Sequence, residues 1–331
     1  MTMKSVTRRQ MVAALIAMTT ALTAAAGPST AQTYPSKVIT IIVPFPPGGT
    51  TDVTARLVAA EMSKTLGQPI IVENKAGANG NIGSTAVARA NPDGYTLLAT
   101  GIGSNAVNHG LYSNMAYDSR KDFAHITQMT SGPNVLVVNG EFPAKTFKEW
   151  VEVVRGAKTP LNYASAGNGA SGHMAMELLK TTAGLKIDHI PYKGGAPAFQ
   201  DVMGNQVPFM FINQDLPLPH IKTGKIRVLA VASSERNPSY PDVPTIAESG
   251  FPGFAAVSWN GLAAPAGTPK DIIEKLYAAA AKAINEPAIK DKMLTQGFVP
   301  GGMKPEGMQA FVGAEMDKWT KVAKDAGAKI D

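Results

Sequence analysis

An apolar, β-branched run, Val38-Ile-Thr-Ile-Ile-Val43, breaks at Pro44-Phe-Pro-Pro-Gly-Gly49 and gives way to Thr50-Thr-Asp52, residue types that open helices. The pattern predicts a buried strand, a tight loop and a helix over Thr51 to Leu66. Leu57, Val58, Met62 and Leu66 fall toward one side of that helix, and Gly67 stops it. A strand over Pro69 to Glu73 follows, then a flexible loop, Ala76 to Gly83. A helix over Ser84 to Ala90, a turn at Asn91-Pro-Asp-Gly94 and a strand over Tyr95 to Ala99 complete the run. Strand and helix in alternation are the signature of a parallel sheet covered on both faces.

A second run of the same kind begins with a strand over Pro160 to Ala164. It passes through Ser165-Ala-Gly-Asn-Gly-Ala-Ser-Gly172 into a helix over His173 to Thr182. A strand over Lys186 to Pro191, a helix over Ala196 to Met203 closed by Gly204, and a strand over Val207 to Ile212 come next. Then come a short helix over Leu218 to Lys222 closed by Gly224 and a strand over Ile226 to Ala232. From Ala255 the chain reads as one more strand and three helices, Pro269 to Asn285, Pro287 to Gln296 and Pro305 to Ala326. The expected architecture is α/β, with two doubly wound sheets joined by crossover segments. Residues 32–133 and 257–331 form one lobe, because the helical tail returns to cover the first sheet, and 134–256 form an inserted second lobe.

Each lobe thus carries a strand that ends in a glycine-rich loop and opens a helix. Free backbone N–H groups at the positive end of a helix dipole suit an anion. The first loop has neither the lysine of a phosphate-binding loop nor the Gly-x-Gly-x-x-Gly spacing of a dinucleotide site, so a carboxylate fits as well as a phosphate.

The first residues add a location. Lys4, Arg8 and Arg9 precede an uncharged apolar stretch from Met11 to Ala26, and Ser29 and Ala31 offer small residues for cleavage, so 1–31 reads as a signal peptide with the mature chain starting near Gln32. Arg8-Arg9 fits either a twin-arginine or a general secretory signal. Removing three cations and no acid takes the formal net charge from +6 to +3 (6 − 3), and no Lys/Arg run with interleaved aromatics points to nucleic acid. The chain has no cysteine, which excludes disulfides, thiol catalysis and thiolate metal sites.

Seven segments resemble one family. They are Pro44-Phe-Pro-Pro-Gly-Gly-Thr-Thr-Asp52, Gly67-Gln-Pro-Ile-Ile-Val-Glu-Asn74, Pro92-Asp-Gly-Tyr-Thr-Leu97, Asn162-Tyr-Ala-Ser165, Tyr192-Lys-Gly194, Pro241-Asp-Val-Pro-Thr245 and Ala264-Pro-Ala-Gly-Thr-Pro269. In order and over essentially the whole mature chain, they resemble the Bug family of periplasmic solute-binding proteins, the receptors of tripartite tricarboxylate transporters. The resemblance implies a two-lobed, type II Venus-flytrap receptor, without catalysis or cofactor. It would be a monomer that closes on a small mono-, di- or tricarboxylate, possible aromatic acids included, and serves two membrane subunits. It assigns Phe45, Gly48, Gly49, Thr50, Thr51 and Asp52, with Ser104 on a neighbouring loop, to one ligand contact. Ser165, Ala166, Asn168, Gly169 and Ser171 are assigned to the opposing one.

Departures from the family pattern bear on the solute. Ala166 and Ala170 stand where hydroxyl residues are common, and Ile212-Asn-Gln-Asp-Leu-Pro217 replaces Asp-Asn-Leu-Pro-Ser, so Asn213 and Asp215 enter the candidate site. Trp259, just after the expected return crossing, is a candidate cleft wall; Trp150 and Trp319 read as core or rim. Asp52 reads equally as an N-terminal cap. His173 and Glu177, one turn apart, are too few for a metal. Two alternatives remain. A signalling partner could use the closed form without transport, which a neighbouring pair of membrane-subunit genes would disfavour. A serine hydrolase would need an elbow, and Gly169-Ala-Ser-Gly-His173 has histidine where the last glycine belongs.

Overall fold

The computed structural model describes residues 34–330, so the signal peptide and its cleavage point lie outside the described residues. Every element below lies within the compact unit Lys37–Asp331. Strand β1 (Ile39–Val43) is almost wholly buried and pairs in parallel with β2 (Ile70–Asn74) and β3 (Thr96–Gly101). Between them, α1 (Thr50–Leu66) buries Ala55, Val58, Ala59 and Met62. It ends where Gly67 takes a left-handed conformation, φ 68°, and donates its N–H to Ser63 O at 3.0 Å. A 3₁₀ turn, Ala78–Gly80, leads into α2 (Asn81–Ala88), three residues earlier than the sequence pattern suggests. A π turn, Gly103–Val107, runs on from β3 into the short α3 (Asn108–Leu111).

Between the two predicted runs the chain forms its longest strand, β4 (Phe123–Asn139), and then α4 (Phe147–Gly156), whose first turn is capped by Thr146 Oγ1 accepting from Glu149 N at 3.2 Å. The second run supplies β5 (Leu161–Ser165), α5 (Ser171–Ala183), β6 (Ile187–Pro191), α6 (Gly195–Met203), β7 (Phe209–Asn213), a 3₁₀ turn and β8 (Ile226–Val231). Then come β9 (Val257–Pro265), α7 (Lys270–Asn285), α8 (Pro287–Thr295), the two-residue β10 (Val299–Pro300) and α9 (Pro305–Asp325).

The strand order is β2-β1-β3-β9-β4-β7-β5-β6, with β8 and β10 also on β4. Two sheets joined by crossover segments were expected; in the structure β4 is a strand of both. From Phe123 to Pro133, β4 pairs antiparallel with β9; from Asn134 to Asn139 it pairs with β7 and β8 instead. The change falls at Pro133, which has no N–H to give to a ladder. Helix α9 packs on β4, α3 and the π turn and reaches α5. Its Met308, Val312, Met316 and Trp319 share a core with Leu111, Leu136, Met174 and Phe209. The switch at Pro133 and this shared core bring the loops that follow β1, β5 and β7 to one place.

Candidate functional site

The loop after β1 is braced from within. Asp52, only 4% exposed, accepts from Gly48 N at 2.9 Å, Arg56 Nε at 3.0 Å and Asn74 Nδ2 at 3.0 Å. Burial works against its charge, yet the bonds from Arg56, Gly48 and Asn74 together hold its carboxyl below the usual range. Asp52 was a candidate ligand contact and equally a cap; its Oδ2 accepts from the loop at Gly48, and its Oδ1 from Arg56 on α1 and Asn74 at the end of β2. The Gly48 N–H is spent on it as well, so the donors left at this helix end are those of the first turn, which precede the first intrahelical bond, Val53 N to Gly49 O at 3.0 Å. Phe45 lies half-buried over two glycines. A Cβ on Gly80 would sit 3.2 Å from Phe45 Cζ, and one on Gly101 3.4 Å from Cε2. Gly49 is exposed beside it.

Ser104, in the π turn, is fully buried. It donates to Asn105 Oδ1 at 2.8 Å, and its carbonyl accepts from Tyr117 OH at 2.5 Å. Above it, amides interlock: Asn79 Nδ2 donates to Asn108 Oδ1 at 2.7 Å, and Asn108 Nδ2 to Asn79 O at 3.0 Å and Asn81 Oδ1 at 2.6 Å.

The loop after β5 is braced by histidines. Ser165, fully buried, accepts from Gly167 N at 3.1 Å and lies 2.6 Å from His189 Nε2. Gly169 takes φ +77° and donates its N–H to His173 Nδ1 at 3.1 Å, so that nitrogen carries no proton. The rings of His173 and His189 stack at 4.1 Å, with Tyr163 against His189 at 4.8 Å. Burial lowers His173 to about 4 and His189 to about 3, so both are neutral. Tyr163 OH and Lys180 Nζ both donate to Glu177 Oε1 behind the stack, at 2.7 and 2.8 Å. His173 and Glu177 thus serve this brace. Asn168 is exposed and Ala166 half-buried.

The loop after β7 connects the other two. Ser171 Oγ, at the start of α5, is 3.2 Å from Asn213 Oδ1 and 3.1 Å from Asn134 Oδ1. Asn213 Nδ2 donates to Thr50 Oγ1 at 3.1 Å, and Thr50 Oγ1 donates to Asp215 Oδ2 at 3.1 Å. Asparagine, threonine and aspartate therefore form one directed row, Asn213 to Thr50 to Asp215, with the single Ser171 proton shared between Asn134 and Asn213 at its α5 end. Asp215 is half-buried as a residue, and burial raises its carboxyl against the bonds from Thr50 and from the backbone N–H groups of Asp215 and Leu216, which lower it. Gly169 is close-packed from the other side. A Cβ there would lie 2.5 Å from Asn79 Nδ2 and 2.8 Å from Leu111 Cδ1.

Trp259 is not a wall of this site. It is 1% exposed, packs against Phe311, and donates Nε1 to Glu315 Oε2 at 2.9 Å, the atom that also accepts from Trp319 Nε1 at 2.9 Å. Alternation along β9 puts its neighbour Asn260 on the opposite face. There Asn260 Oδ1 accepts from Thr51 Oγ1 at 2.6 Å. Sequence reasoning missed Asn79, Asn108, Asn134 and Asn260; only Asn79 carried a signal, within the Gly77-Ala-Asn-Gly-Asn81 loop. A surface pocket of about 500 Å³, lined by His109, Tyr112, Tyr117, Asp118 and Asp122 among others, includes none of these residues. Among the described residues no helix is long and apolar enough to cross a membrane.

Residues 54–328 match the family model described as tripartite tricarboxylate transporter family receptor. Protein BugT of Bordetella pertussis is 36% identical over 318 residues, 96% of this chain and 98% of that protein. The structure described as R. palustris Rpa4515 with adipate superposes with TM-score 0.85 at 37% identity, over 90% of this chain and 100% of that one. The periplasmic binding protein BugD gives TM-score 0.82 at 37% identity over the same shares. A family model that spans most of the chain, and relatives alike in sequence and in fold over nearly their full lengths, place this protein in the Bug family of tripartite tricarboxylate transporter receptors, α/β periplasmic binding proteins.

Proposed function

We propose that this protein is an extracytoplasmic receptor that captures a small carboxylated solute between the loop after β1 and the loop after β5, and hands it to two membrane subunits of a tripartite transporter. The observation that carries this reading is the chain Ser171–Asn213–Thr50, which ties the two glycine-rich loops together through one asparagine. Each loop opens a helix, α1 or α5, and offers N–H groups and hydroxyls. Such donors hold an anion without a salt bridge. Phe45, Gly49, Thr50 and Thr51 would take one side of the ligand; Ala166, Asn168 and Ser171 would take the other, on a loop whose Gly169 N–H is held by His173. The adipate in the related structure is the class of ligand this donor set suits.

Closure is the proposed working motion. Lobes 32–133 with 257–331, and 134–256, would rotate about the points where β4 changes partners, at Pro133 and Asn134, and where β9 begins, at Val257. A ligand that contacts both loops binds the closed form better and shifts the population toward it. The receptor is proposed to act as a monomer in the periplasm and to perform no chemistry. Ser171 Oγ gives its one proton to the amide oxygen of Asn134 or of Asn213, and Ser165, 2.6 Å from His189, is fully buried beside an imidazole too weakly basic to activate it.

Thermal shift with a panel of mono-, di- and tricarboxylates tests the reading. At one hundred times its dissociation constant a ligand adds about 2.7 kcal/mol of stability. A shift from some carboxylate, and none from sugars or nucleotides, is expected. The reverse pattern would refute it.

A further inference from the structure

Gln214 stands between two residues that reach across to Thr50, and its own side chain goes elsewhere. Asn213 and Asp215 each meet the Thr50 hydroxyl at 3.1 Å. Gln214 is 0% exposed, and neither its Nε2 nor its Oε1 has a hydrogen-bond partner. A primary amide carries two donors and an oxygen that accepts twice. No other buried amide among the described residues leaves both ends unpaired.

What closes over this amide comes from the other lobe. A Cβ on Gly132 would lie 2.2 Å from Gln214 Nε2 and 2.8 Å from Oε1, and one on Gly297 would lie 2.9 Å from Gln214 Cγ. Two glycines thus clasp the side chain, at positions where any larger residue would collide with it. Gly132 immediately precedes Pro133, where β4 leaves β9 for β7, and Gly297 follows α8. Both fall in the proposed lobe 32–133 with 257–331, whereas Gln214 falls in 134–256. The backbone of Gln214 is held by its own lobe, through the Tyr240 hydroxyl, which donates to Gln214 O. Rotation about Pro133 therefore draws the glycines off the amide and lets water reach it. Closure seals it again with no group to bond, which disfavours the closed form by about tenfold or more.

Resting on the hinge motion proposed above, we propose that Gln214 is a positioning residue that keeps the unliganded receptor open and thereby sets its affinity. It acts at the hinge and not on the solute. Its amide raises the free energy of the closed form alone, and a ligand that bridges the two loops must overcome that difference before any of its contacts appear as affinity.

The chain has no cysteine, so Lys75→Cys and Lys193→Cys, at exposed positions just past β2 and β6, put one dye on each lobe. Single-molecule energy transfer without ligand then reads the ratio of closed to open molecules. Gln214→Met keeps the length, adapts to the space and removes the amide, so it raises that ratio about tenfold over the wild type. Gln214→Glu buries a charge at the same place and lowers it. Titration with succinate, adipate and citrate gives a second readout. An acid that binds the wild type binds Gln214→Met about tenfold more tightly, the opposite of what a lost packing contact does. An unchanged or lower ratio in Gln214→Met overturns the proposal, as does an acid that binds it no more tightly than the wild type, or a wild type already closed without ligand. If none of the three acids moves the wild-type dyes, the ligand-free ratios still decide the role of Gln214, and the loss falls on the carboxylate reading.

Discussion

Asn213, 163 positions downstream of Thr50, donates its Nδ2–H to the Thr50 hydroxyl at 3.1 Å. With Ser171 at 3.2 Å on its other amide atom, this residue gives each glycine-rich loop a direct measure of where the other is. Thr50→Val keeps the volume and removes the hydroxyl, leaving the Asn213 donor without its acceptor and Asp215 Oδ2 without its donor. The expected cost is about 1–3 kcal/mol of the closed form. In calorimetry that reads as ligand affinity lower by about tenfold or more, and in small-angle scattering as a larger radius of gyration at the same ligand concentration.

Gly169 tests the approach of the second loop. Alanine there must adopt φ +77° and place its Cβ 2.5 Å from Asn79 Nδ2. Gly67 has a similar φ, +68°, with open space around it, so Gly67→Ala supplies the backbone strain alone. Both variants should lose about 1 kcal/mol or somewhat more in urea unfolding. Only Gly169→Ala should also lose ligand binding.

Acid should loosen the protein through the histidine stack. Burial holds His173 at about 4 and His189 at about 3, against an ordinary 6.5. The unfolded chain takes up these protons near pH 6.5, the folded one only near pH 4 and below. Stability is therefore full above about pH 7 and falls as pH drops from 6.5 toward 4. His173 alone accounts for about 3 kcal/mol over that window. His125, buried and lowered to about 4, adds to the slope. Urea unfolding between pH 4 and 7 checks this. In His173→Gln, where the side-chain carbonyl can still accept from Gly169, the slope should flatten but not vanish.

Asp52 gathers the Gly48 N–H, the Arg56 guanidinium and the Asn74 amide. Asp52→Ala strands all three, and a loss of about 2 kcal/mol in unfolding free energy is expected. Because the Gly48 to Thr50 backbone is no longer tethered, affinity should fall with it. An unchanged midpoint would show the brace to be idle.

The elements legible in sequence were those whose signals are local. The β-branched run of β1, the glycines after α1 and at Gly224, and the Ser165 to Gly172 loop all announce themselves within a few residues. The 17-residue β4 did not, since Gly132-Pro133 at its middle reads as a turn. Only long-range pairing with β9 on one side and β7 on the other makes it a strand. The site divides the same way. The two glycine-rich loops were visible, whereas Asn260, 209 positions from Thr51, acquires its meaning from tertiary contact. Trp259 was misread for a physical reason: neighbours on a strand face opposite ways, and its ring turns toward α9, where Glu315 accepts from it.

Calorimetric titration of the purified protein with a carboxylate panel, repeated on Thr50→Val and Gly169→Ala, bears most directly on the claim that the loops after β1 and β5 form one carboxylate clamp. The account predicts one-to-one binding of at least one carboxylic acid, weakened about tenfold or more by each substitution. An acid that binds all three proteins equally, or a panel in which no acid binds, would contradict it.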